Sequence, residues 1–195
     1  MAGRWEEFGK YGADGIPGWL ALARQLDDLI TGPVSPVTNA RGLGARLNYL
    51  LNRKGGMDAL RKAGVTVKDK TIEGWFEKKT TPRKADLARI DSAYWDLRRR
   101  NAAPSLKARL RNEGRSRTVE IHPVDQSHVQ KGRSREIAHR QVSLFGDIWD
   151  DMVDAWVEGD EEALDGIWDD IITDLGSDWD AYSYVDSVGF NAATD

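Results

Sequence analysis

The chain has 195 residues, 40% hydrophobic and 31% charged, with a formal net charge of −4. That is enough apolar residue for a core in one ordinary domain or two small ones. The lack of cysteine excludes disulfides, thiol catalysis and cysteine-bound zinc or iron–sulfur clusters.

No apolar run approaches the roughly 18 residues of a membrane span. No apolar stretch follows Arg4, Glu6 and Glu7 as a secretory leader would require. A cytoplasmic, nucleoid-associated protein with no membrane partner is expected. The small net charge hides an asymmetry. All 28 Lys and Arg lie at or before Arg140, and 16 acids there leave a balance of +12. Residues 141–195 hold the other 16 acids and no base. A basic body implies an anionic partner, and the acidic end a separate role.

Residues 1–15 set Trp5, Phe8 and Tyr11 among Gly3, Gly9, Gly12 and Gly15. Irregular structure is expected there, with aromatic rings that dock on the body. Pro17 suits the start of a helix, where its missing N–H does no harm. Trp19, Leu22, Ala23, Leu26 and Ile30 form that helix's apolar stripe. Gly32, Pro33 and Pro36 mark a linker. A second helix is expected over 40–54, with Leu43, Leu47, Leu50 and Leu51 inward and Arg41, Arg46, Arg53 and Lys54 outward.

Residues 55–100 organise the chain. Ala59, Leu60 and Ala63 give a short helix a small apolar face, and Gly64 stops it. Val65 and Val67 are turn residues that can point inward. Ile72, Trp75 and Phe76 share one face of a second short helix. Pro82 opens a third, whose Leu87, Ile90, Tyr94 and Leu97 share a face. This is the pattern of a helix-turn-helix. The outer surface of its second helix carries Lys68, Lys70, Thr71, Glu73, Lys78 and Lys79, a set suited to a phosphate-lined groove. A plain three-helix packing with a solvated Lys face is the alternative.

Arg83, the run Arg98, Arg99 and Arg100, then Lys107, Arg109, Arg111, Arg115 and Arg117 extend the positive charge. Pro104 is expected to interrupt the third helix. Residues 118–122 alternate and are β-rich, and Ser127 to Gln130 are read as a returning strand. Residues 131–140 are read as a flexible basic loop or a third short strand. Phe145, Ile148, Trp149, Met152 and Trp156 then mark one amphipathic helix. Leu164, Ile167, Trp168, Ile171, Ile172 and Leu175 mark another, with Gly159 between them and Gly176 as a cap. The outer faces of this pair are almost wholly Asp and Glu. Three roles fit it: mimicry of DNA phosphate, docking of a partner or second copy through the Trp stripe, or packing as an ordinary subdomain. The aromatic tail that follows is expected to dock.

His122, His128 and His139 lie six and eleven residues apart, which matches no usual zinc spacing. Solvated or hydrogen-bonded histidines are expected, with no metal and no cofactor. The acidic region lacks the alternating loop of an EF-hand. Gly42-Leu43-Gly44 is not followed by a phosphate-loop GK[ST]. No Ser–His–Asp arrangement stands out, so no enzyme is expected.

The segments ALRKAGVTVKDKTIEGWFEKKTTPRKADLARIDSAYWDLRRR, RTVEIHP and VDAWVEGDEEALDGIWDDIITDL, taken in order, resemble the telomere-protecting terminal proteins of actinobacterial linear plasmids and chromosomes. The resemblance covers roughly residues 40–175. It implies a protein that caps and primes the end of a linear replicon. In such a protein a side-chain hydroxyl takes the first nucleotide and offers its 3′-OH as primer. Thr118 matches the family's hydroxyl region, with Ser116 and Ser127 close by. The other reading of Thr118 is an ordinary strand threonine. The implied partners are double- or single-stranded DNA, a telomere-binding protein and a DNA polymerase, and a homodimer is an open option.

The fold expected is mainly α. It comprises an N-terminal irregular segment and helix (1–36), a helix-turn-helix DNA-binding domain (37–112), a basic β-prone extension (113–141), and an acidic helical hairpin with an aromatic tail (142–195). Two other functions fit the same residues: a helix-turn-helix transcriptional repressor of a plasmid or phage, and a protein-interaction module using the acidic hairpin.

Overall fold

The helical and alternating apolar patterns become seven α-helices and four strands in a computed structural model, which describes residues 8–111 and 117–192. In order these are β1 (Ile16–Pro17), α1 (Gly18–Thr31), α2 (Ala40–Asn52), α3 (Gly56–Lys62), α4 (Asp69–Phe76) and α5 (Lys84–Leu110). Next come β2 (Arg117–Pro123), β3 (Arg140–Leu144), α6 (Asp147–Glu158), α7 (Glu161–Thr173), a 3-10 turn (Gly176–Tyr182) and β4 (Tyr184–Ala192). The protein is mainly α with one antiparallel sheet, ordered β1-β4-β2-β3. Among the described residues, no helix is long and apolar enough to cross a membrane.

The chain divides into two compact units: residues 31–104, and residues 1–30 together with 105–195. The charge follows this division closely. The first set holds 16 Lys and Arg against 7 acids, a balance of +9, and the second holds 12 against 25, a balance of −13.

The basic unit contains α2, α3, α4 and most of α5. Its core is Leu47, Leu50, Ala59, Leu60, Val65, Ile72, Trp75, Ile90, Ala93, Tyr94 and Leu97. Asn39 caps α2, its Oδ1 accepting from the N–H of Gly42 at 2.7 Å. Gly56 allows the close entry of α3: a Cβ there would stand 1.7 Å from the Leu50 carbonyl oxygen. Phe76, expected inside with Ile72 and Trp75, is 41% exposed. It is the last residue of α4, and the helix ends before the core reaches it.

Arg46, expected outside, is 4% exposed. It pairs with Asp91 of α5 and donates to the carbonyls of Ser35 (2.8 Å) and Gly42 (3.0 Å). Its guanidinium also lies over the Tyr94 ring, 5.4 Å from the centroid.

Pro104 does not end α5, which runs unbroken for 27 residues. An interior proline removes one helical hydrogen bond and costs about 3 kcal/mol. Burial of Leu97 before it and of Leu106 and Leu110 after it holds the two stretches, each in its own unit.

In the acidic unit β2 is the organising strand. Its partners are β3 and β4, not residues 127–130, which form no strand. The sequence segment 117–123 advertised a strand, but β4 lies some sixty residues further on, and its alternation is masked where the register shifts after His122. Val119 and Ile121 face the core beside Val142, Val188 and Phe190. Trp149 of α6 meets Phe190 edge-on at 5.1 Å, which seats a helix on that face of the sheet. Pro17 belongs to β1 instead of opening α1. Of the N-terminal aromatics, Phe8 docks by stacking on Tyr184 at 3.7 Å, while Trp5 lies outside the described residues.

Helix α1 lies against α6 and α7. The Trp156 indole N–H donates to Asp27 at 3.0 Å. Gly18 sits so close to Trp168 that a Cβ would stand 1.9 Å from the indole. The same indole donates to the Tyr182 carbonyl at 3.0 Å, so the ring cannot swing away freely. Gly18→Ala is therefore expected to destabilise this unit by about 1–3 kcal/mol through overpacking. Urea unfolding followed by tryptophan fluorescence checks this.

Candidate nucleic-acid interface

Helix α4 reaches the surface because only Ile72 and Trp75 are buried on it. Gly64 has φ +86°, which ends α3 in the left-handed conformation anticipated from its sequence position. The turn to α4 is then held by a residue that sequence spacing did not single out. Arg61 donates to the carbonyls of Val65 (2.6 Å) and Val67 (2.7 Å) and pairs with Asp69 at the start of α4. One guanidinium thus ties both ends of the turn. Its signal in the sequence is nil, because a donor to turn carbonyls needs no particular spacing.

The predicted contact residues fall into two groups. Lys68, Lys70, Glu73, Lys78 and Arg83 are exposed, and Thr71 is half-buried among them. Lys79 is exposed and pairs with Glu77 at 2.6 Å, which raises the ammonium's pKa above the ordinary lysine value. Lys78 ends α4 with φ +60°, the left-handed cap position where glycine is usual. Arg98 and Arg99 are half-buried; their guanidinium groups lie over Tyr49 (5.3 Å) and Trp95 (5.7 Å). Arg100 is exposed and paired with Asp96. All of these belong to the basic unit.

Arg117 does not join them. It lies in β2, in the acidic unit, donating to the Arg109 carbonyl at 3.0 Å, and burial pushes its pKa down. Lys107 and Arg111 are also taken up there, by Asp154 (2.7 Å) and by Asp150 (Nε to Oδ1, 2.9 Å). Two cations at the end of α5, Lys107 and Arg111, are therefore engaged by carboxylates of α6. Arg115 and Ser116 lie outside the described residues. Thr118, expected to offer an accessible hydroxyl, is 9% exposed in the central strand, paired in register with Ser143 and Asn191.

The Arg111 pairing has a pH consequence. The hydrogen bond from Arg111 and its positive charge hold the Asp150 carboxyl below the ordinary carboxylate range, against a smaller opposing effect of burial. Stability from a depressed carboxylate is present above its unfolded pKa, about 4, and is lost as pH falls through the folded one. Arg111→Gln should therefore flatten the loss of stability below about pH 4. Urea midpoints measured from pH 6 to pH 2.5 test it.

A groove of about 540 Å³ opens on the basic unit, bordered by Arg41, Asn48, Tyr49, Asn52, Arg53 and Arg98. Arg53 and Arg98 both approach the Tyr49 ring, at 5.7 and 5.3 Å from its centroid. The outward arginines of α2 were visible in the sequence, but their meeting with Arg98 across Tyr49 is a product of the fold.

The tryptophans of the acidic helices are not a docking stripe. Trp149, Trp156 and Trp168 are fully buried, so this face is spent inside its own unit. Phe145 (62% exposed) and Ile148 (40%), which were expected in the stripe, point outward instead. On the polar face of the sheet, Glu120, His122 and His139 place their ligand atoms within 4.8 Å of one another. Sequence spacing offered no reason to bring these three together.

Comparison with protein-family models, with curated proteins and with solved structures finds no match to this chain. The functional reading therefore rests on geometry and charge.

Proposed function

We propose that the basic unit is a DNA-binding domain in which α3, its turn and α4 act as a helix-turn-helix, with α4 entering the major groove. The observation that carries this reading is the exposed set Lys68, Lys70 and Lys78, which make no ion pair among the described residues and lie on or beside a short helix anchored by two residues. Cations presented beside a tight turn neutralise phosphates and release counterions. Glu73 and Thr71 sit between them, where a groove-facing helix carries groups that read base edges. Phe76, exposed at the helix end, offers an apolar contact of the kind thymine methyls accept. Arg83 and the Arg41–Arg53–Arg98 groove add further positive charge to the same unit.

The test is the salt dependence of duplex binding by the full chain. Affinity should fall linearly with log salt, with a slope of about −0.9 for each phosphate engaged. A flat salt response would remove the proposal. Within this reading a transcriptional repressor is the better supported class, since burial of Thr118 counts against it as a DNA-attachment hydroxyl. The terminal-protein role implied by the sequence resemblance would show as labelled nucleotide retained after boiling in denaturant. Retention in Thr118→Ala would place that link on another hydroxyl.

A further inference from the structure

We infer that Glu120, His122 and His139 form a binding site for a divalent transition metal of the zinc class on the polar face of the sheet. Strand β2 puts Glu120 and His122 two residues apart, on the face opposite Val119 and Ile121. His139 arrives just before β3, and its ring lies 4.8 Å from that of His122. The three ligand atoms already lie within 4.8 Å of one another. A tetrahedral zinc with bonds of about 2.1 Å wants its ligand atoms about 3.4 Å apart. Side-chain rotation of that size closes the set without moving the strands.

Two further features pre-organise these ligands. Gln141, opposite Glu120 in the register, donates from Nε2 to Glu120 Oε1 at 2.9 Å, leaving Oε2 for a metal. Such an outer partner orients a ligating carboxylate. Gly189, opposite Glu120 on the other side, has no side chain to occupy the shelf beside it. His139 is held from both neighbours. The Tyr182 hydroxyl donates to the Ala138 carbonyl at 2.7 Å and accepts from Arg140 Nε at 3.2 Å. Tyr182 is itself 1% exposed, so it is a fixed post.

The donor set decides the class of ion. Two imidazole nitrogens and one carboxylate suit zinc, cobalt or nickel, whereas calcium and magnesium take oxygen ligands in greater number. Three protein ligands leave a coordination position for water or a further ligand.

The experiment is titration of the full chain with Zn²⁺ by calorimetry and with Co²⁺ by visible absorption. One ion per chain is expected, with a rise in melting temperature under Zn²⁺ and none under Mg²⁺ or Ca²⁺ at equal concentration. His139→Ala, at an exposed position outside the strands, should abolish binding while circular dichroism stays unchanged. His122→Ala should do the same, and Gln141→Ala should weaken binding by about 10-fold. His128→Ala, the remaining histidine, should leave binding intact. Absence of Zn²⁺ binding, or binding retained in the His122→Ala/His139→Ala double variant, overturns the site. The result is independent of DNA affinity.

Discussion

Charge reversal at Lys70 and Lys78 should lower duplex affinity by at least about 100-fold and reduce the salt slope by about 2, since each lost phosphate contact removes about 0.9. Both ammonium groups are exposed and make no ion pair among the described residues. Replacing them with Glu thus removes two favourable charges and adds two repulsive ones without touching the core. Lys78 permits a sharper version. Its φ of +60° costs a side-chain-bearing residue roughly 1 kcal/mol that glycine does not incur. Lys78→Gly should therefore raise the unfolding midpoint while weakening DNA. A variant that is more stable and binds less well separates contact from folding. Unchanged affinity in both variants would mean that another element occupies the groove. Fluorescence anisotropy at three salt concentrations, paired with urea unfolding, reads all of these quantities.

Loss of Arg46 should cost the basic unit as much as truncating a residue of its apolar core. Arg46→Met keeps an unbranched apolar stem, but removes the charge-assisted bond to Asp91, the donors to the Ser35 and Gly42 carbonyls, and the cation over Tyr94. Breaking a buried pair costs about 3–5 kcal/mol when the partner charge stays buried. Asp91 is one-third exposed and can recover some solvation, so about 2–4 kcal/mol is expected. That is a large share of the 5–15 kcal/mol typical of a folded domain. Arg46→Lys should rescue little, because one ammonium cannot reach an acid and two carbonyls held in a planar fork. Adding Asp91→Leu to Arg46→Met should recover part of the loss. A midpoint shift equal to that of a surface substitution would show that Arg46 does not pin α2 to α5.

Much of the helical framework was readable because it depends on neighbours close in the chain. The period of α2, α4, α6 and α7 and the stops at Gly64 and Gly159 all follow from residues within a turn or two. Exposure of Lys70 on α4 follows for the same reason, since its two inward residues lie on the opposite side. Arg46 and Phe76 were misplaced because burial depends on what packs from elsewhere, which a local pattern does not contain.

The strong separation of charge is written in the sequence, and so is the short cationic helix. What the tertiary structure alone decided is where each charge is used. Lys107, Arg111 and Arg117 read as a continuation of the DNA face, yet they sit in the acidic unit, two of them paired with α6. Likewise β4 joins β2 across more than sixty residues, and His139 comes to rest beside His122 only once β3 has paired. Local sequence sets φ, ψ and periodicity over a few residues. Ion pairs, sheet partners and ligand sets join positions distant in the chain, and their geometry exists only after the core has closed.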